Sequence, residues 1–89
     1  MQQTDVATII VDWVQRTFGV EVEVWHVQSA VKMIDTEAAF IQAVKRTEDL
    51  LIQVGGGDLD AALDAAVDAR DWQAAELLDA PIQAQRKTQ

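Results

Sequence analysis

An all-α bundle of four to five short helices is the fold class that this 89-residue sequence predicts. Three observations lead to it. Apolar residues recur at three- and four-residue spacing along most of the chain, the period of a helix face. One proline, no tyrosine and 25% charged residues suit compact helices better than a turn-rich β fold. Residues that start and stop helices stand between the apolar stripes. The expected helices lie near 4–18, 20–34, 36–54, 58–69 and 71–80, in one domain over 1–81, with 82–89 a polar, flexible C-terminal tail.

In the first helix, Val6, Ile9, Ile10, Trp13 and Val14 make one amphipathic face. Thr4 or a neighbour can cap its start, Asp5 is favourable in its first turn, and Gly19 is a plausible stop after Phe18.

The second helix is expected to carry two stripes. Val20, Val24, Val27, Val31 and Ile34 follow one face, while Val22, Trp25 and Met33 fall on another arc with Ser29. A helix apolar on two sides either runs through the middle of a bundle or keeps one side for another molecule. The competing reading is a strand or short β-hairpin, because Val20-Glu21-Val22-Glu23-Val24 alternates and valine is β-branched. Trp25 breaks that alternation, and Gln28-Ser29 is a poor hairpin turn, so the helix is preferred.

The stripe of Phe40, Val44, Thr47, Leu51 and Val54 is out of register with the one before it. The slip falls near Asp35-Thr36, two good N-caps, which places a new helix start there. Gly55-Gly56-Gly57 ends it as a hinge, and Asp58 caps a fourth helix with Leu59, Ala62, Leu63, Ala66 and Val67 on one face. If that helix continued, Trp72 would project among Asp60, Asp64 and Asp68, so a break is expected at Arg70-Asp71. Asp71 then caps a short last helix with Trp72, Ala75, Leu77 and Leu78, expected to stop before Pro81 because the residue preceding proline avoids helical geometry.

The run from Ala66 to Ala75, with a small polar turn before Trp72 and an alanine three places on, resembles the mid-repeat turn of a tetratricopeptide helical pair. The resemblance covers about 59–81 and lacks the upstream tryptophan and the Leu-Gly step. It implies an antiparallel helical hairpin, without a repeat array or a peptide-binding function.

Composition bounds the function. At 49% hydrophobic residues the chain is too apolar to stay disordered, and a formal charge of -8 opposes general binding to nucleic acid or anionic membranes. No apolar run approaches a membrane span, and the N-terminus lacks the basic start of a signal peptide, so a cytoplasmic location is expected. The absence of cysteine removes disulfides, thiol catalysis and cysteine metal sites.

His26 is the one histidine. His26-Val27-Gln28-Ser29-Ala30 is similar to a histidine phosphotransfer helix, but Ser29 and Ala30 stand where that family has lysine and glycine. A Ser29-His26 nucleophile pair lacks an evident orienting acid and an oxyanion site. Gly57-Asp58-Leu59-Asp60 fails the EF-hand pattern, and no lysine follows the glycines to hold phosphate. The residues therefore carry no expectation of an enzyme, a metal or a cofactor.

Asp60, Asp64 and Asp68 line one helix face, within a segment 58–81 whose one basic residue is Arg70. They form either a solvated face or an acidic strip for a basic partner. Trp13, Trp25 and Trp72 are expected in core packing by default, with Trp25 the one suspected of serving an interface.

The expected function is that of a small acidic protein–protein interaction module (an adaptor, inhibitor or assembly factor) acting by surface occupancy and self-associating. Val22, Trp25 and Met33 are its expected contact residues. The alternative is an inhibitor that mimics nucleic acid through Asp60, Asp64 and Asp68; a remote third is phosphotransfer through His26.

Overall fold

The computed structural model describes residues 5–54 and 58–87, with Lys87 described by its backbone alone. Five α-helices and one short 3-10 turn make an all-α bundle: α1 (Val6–Phe18), the 3-10 turn (Val24–Val27), α2 (Gln28–Met33), α3 (Glu37–Val54), α4 (Leu59–Asp68) and α5 (Trp72–Lys87). The hinge expected at Gly55-Gly56-Gly57 and the cap suggested at Thr4 lie outside the described residues.

Local chemistry sets most of the boundaries. Asp5 is the N-cap of α1, its Oδ1 accepting from the Ala7 N–H at 3.1 Å. Gly19 ends that helix at φ 67, a left-handed conformation that costs glycine nothing. Thr36 Oγ1 accepts from the Ala39 N–H at 3.1 Å to start α3, and Asp58 accepts from Asp60 and Ala61 to start α4.

The segment 20–34 departs from the single helix expected there. Residues 20–23 are not helical, Glu23 being extended at φ -102 and ψ 164, and helix begins with the 3-10 turn. Alternation wins locally: Val22 is 4% exposed while Glu21 and Glu23 face water. This segment makes no β-pairing among the described residues; the Val22 carbonyl accepts instead from Gln15 Nε2 at 3.3 Å. The helical period takes over at Val27, and Val27, Ala30 and Ile34 are buried with Val31 packed beside them. β-Branched valines following a left-handed glycine start extended more cheaply than helical.

The helix that runs through the middle is α5, which touches each of the other elements. Leu77, Ala80 and Ala84 join Ile10, Val14, Val27, Ile34, Phe40 and Ala43 in the larger core. Ala74, Ala75 and Leu78 join Ala62 and Ala66 in a second cluster, with Leu50, Leu51, Val54, Leu59 and Leu63 around it. Helix α4 thus folds back on α5 as a hairpin across Ala69-Arg70-Asp71, the geometry that the tetratricopeptide-like turn implies. Trp13 packs edge-on against Phe18 at 5.4 Å and Phe40 at 6.1 Å, which ties α1 to α3.

The last helix does not stop before Pro81. It continues to Lys87, and Pro81, Ile82 and Ala84 are all buried. A proline inside a helix forfeits one backbone hydrogen bond and costs about 3 kcal/mol in an exposed helix. Here the residues on both sides of it are in the core, and burying Ile82 alone returns roughly 2 kcal/mol. Residues 82–87 are therefore part of the folded helix and not a frayed tail. Truncation after Pro81 is expected to lower the urea-denaturation free energy by about 2–4 kcal/mol; a truncated chain as stable as the full one would contradict this packing.

Candidate functional site

The turn between α4 and α5 is built by a six-to-one hydrogen bond, Asp71 N–H to the Ala66 carbonyl at 2.9 Å, enclosing Arg70 N–H to the Val67 carbonyl at 3.0 Å. This pattern places its penultimate residue in the left-handed region, where glycine is the usual occupant. Arg70 occupies it instead, at φ 57. A long cationic side chain is thereby held at the junction at a backbone cost of about 1 kcal/mol.

The next residues lock that junction to the rest of the bundle. Asp71 caps α5, its Oδ1 accepting from the Ala74 N–H at 3.2 Å. Arg46 of α3 grips the same carboxylate, with Nε to Oδ2 at 2.8 Å and Nη2 to Oδ1 at 3.3 Å, and Nη2 also donates to Gln73 Oε1 at 2.7 Å. Gln73 Nε2 in turn donates to the Met33 carbonyl at 3.0 Å. One side-chain network thus pins the end of α2, the middle of α3 and the start of α5. The Arg46 guanidinium holds the Asp71 carboxyl below the usual carboxylate range; partial burial opposes this and the Ala74 N–H supports it.

Above this network lies an open hollow of about 390 Å³, lined by Met33, Arg70, Asp71, Trp72 and Gln73. Met33 is 45% exposed and Trp72 48% exposed, so two large apolar side chains distant in sequence stand together in water.

The residues expected to bind a partner are dispersed. Val22 is in the core, because the non-helical segment turns it inward, so the stripe of Val22, Trp25 and Met33 does not exist as one surface. Trp25 is 46% exposed on the 3-10 turn, away from the hollow's lining. Its ring stacks on His26 at 3.8 Å and its Nε1 donates to Glu23 Oε2 at 2.9 Å. Met33 reaches the hollow. Trp72, expected in the core, is the companion that periodicity misses; its signal is the same phase conflict that puts the helix break at Arg70-Asp71. Asp60, Asp64 and Asp68 are exposed along α4.

His26 is engaged within the 3-10 turn. Its Nδ1 accepts from the Glu23 N–H at 3.0 Å, and its Nε2 is buried without a hydrogen-bond partner among the described residues. Among the described residues, no three His, Cys, Asp or Glu side chains are grouped to hold a metal, and no helix is long and apolar enough to cross a membrane.

The junction makes two measurable differences to stability. Arg46→Ala should cost about 0.5–1 kcal/mol at neutral pH in urea unfolding. Because the folded-state pKa of Asp71 is lowered, its stabilisation exists above the unfolded-state pKa and disappears as pH falls through the folded value. The Arg46→Ala deficit should therefore shrink in acid; a deficit independent of pH would refute the assignment. Arg70→Gly should raise stability by a few tenths to about 1 kcal/mol by relieving the left-handed backbone, whereas lower stability would show that the arginine side chain holds the turn. Compared with known proteins, the chain matches no family model, and it has no significant match to a curated protein or to a solved structure.

Proposed function

We propose that this chain is a small protein–protein interaction module, of the adaptor, inhibitor or assembly-factor kind, that acts by offering the Met33–Trp72 hollow to a partner. The observation that carries the reading is that these two half-exposed apolar side chains line one open hollow beside the Arg46–Asp71–Gln73 hydrogen-bond network. Tryptophan at the centre of a preorganised surface is the residue type that most often dominates an interface. Trp72 suits the role better than Trp25, whose ring and N–H are already engaged with His26 and Glu23. Occupancy of such a surface requires no catalytic group, cofactor or metal.

Self-association through one continuous stripe loses its physical basis with Val22 in the core, and two copies at -8 repel at long range. The acidic strip of Asp60, Asp64 and Asp68 is open to solvent and supports the nucleic-acid-mimic reading by charge alone.

A photo-crosslinking residue at the exposed position 69, beside the hollow, tests the proposal. In extracts of the source cell it should form adducts that excess unlabelled wild-type chain suppresses and that Met33→Glu or Trp72→Glu chain does not, with all chains equally helical by circular dichroism. Trp25→Glu should compete as well as wild type. Adducts suppressed by every variant alike would sink the hollow as the contact surface. Competition lost in Trp25→Glu alone would move the surface to the 3-10 turn.

A further inference from the structure

We infer that the occupant of the hollow is a protein segment in which a large apolar side chain stands beside a carboxylate, the apolar group seated on Trp72 and Met33 and the carboxylate held by Arg70. This rests on reading the hollow as the interaction surface, and it goes beyond that reading by naming the chemistry of the partner.

The charged and amide side chains of the lining are, with one exception, already satisfied. Asp71 has both oxygens engaged, by Arg46 and the Ala74 N–H. Gln73 accepts from Arg46 and donates to the Met33 carbonyl. The Arg46 and Asp71 charges cancel within 2.8 Å. The Arg70 guanidinium alone among the charged groups of the lining makes no hydrogen bond or ion pair with the described residues, and it is exposed; the Trp72 indole N–H is a further donor with no hydrogen bond among the described residues. It carries five donors in a planar fork whose best complement is a carboxylate or a phosphate.

The rest of the surface chooses between those anions. A phosphate brings nearly two negative charges toward a chain of -8, with Asp68 two residues from Arg70, and gives the apolar walls nothing to bury. A single carboxylate next to a leucine-sized group satisfies both the guanidinium and the walls. A basic side chain is excluded from the seat by Arg70 itself. Beyond the seat, the overall charge favours a partner whose surrounding surface is neutral or basic, because an acidic one is repelled before contact. A hollow of about 390 Å³ accommodates one such side chain and its neighbour, at the small end of the range for binding pockets.

The test uses two probes that differ in one charge, acetyl-Leu-Glu-amide and acetyl-Leu-Gln-amide, titrated to millimolar concentration into the full chain labelled with ¹⁵N. Both should shift the Trp72 indole resonance, and the glutamate peptide should bind about fivefold more tightly and also shift the Arg70 Nε signal. In Arg70→Gln, and in Arg70→Gly once circular dichroism shows it equally helical, the two peptides should become equal. Equal binding by the wild-type chain overturns the carboxylate assignment and leaves the hollow as an apolar seat. If neither peptide moves Trp72, both the assignment and the hollow reading fall. A salt-resistant dimer in light scattering that Trp72→Glu abolishes would make the occupant a second copy, which also overturns the assignment.

Discussion

Helix α5 has two apolar faces to cover, and the arrangement of the other elements follows from covering them. Leu77, Ala80 and Ala84 face the larger core, and Ala74, Ala75 and Leu78 face α4. Alanines on both sides let neighbouring backbones come close, while the two leucines supply most of the buried bulk. A helix buried on two sides gains enough from packing to carry a proline in its interior, as α5 does at Pro81. Glu76, on the same helix, is pushed above the usual carboxylate range by burial first and by Asp79 second, with the Ser29 hydrogen bond working against them. The middle of the bundle is thus apolar enough to oppose charge even at its margin.

The junction before α5 links that core to the proposed function. A left-handed residue is needed to turn the chain tightly from α4 into α5, and Asp71 is needed to cap the start of α5. Arg46 and Gln73 extend those local needs across the molecule to the end of α2. The result is a hydrogen-bonded network that joins the end of α2, through the Met33 carbonyl, to the first turn of α5.

Much of the fold is legible in residues that act locally. Gly19, Asp58 and Asp71 have the capping roles their residue types suggest, as does Thr36 of the Asp35-Thr36 pair, and the stripes of α1 and α3 are buried nearly as their spacing implies. The candidate hollow is half legible: periodicity marks Met33 but groups it with Val22, which is buried, and it assigns Trp72, which is half exposed, to the core. The two errors share a cause. Apolar periodicity reports which residues need burial within one element, and it is silent on which element will supply the cover.

The same limit divides the features that local chemistry dictates from those that depend on assembly. Helical class, most boundaries and the sharp turn at Arg70-Asp71 depend on backbone sterics and near-neighbour hydrogen bonds, which are written in the order of residues. The non-helical course of 20–23, the passage of α5 through Pro81 and the pairing of Met33 with Trp72 depend on contacts between residues far apart in the chain. In each case intrinsic preference differs between alternatives by only a few kcal/mol, and the burial available in the assembled bundle is large enough to choose the other one.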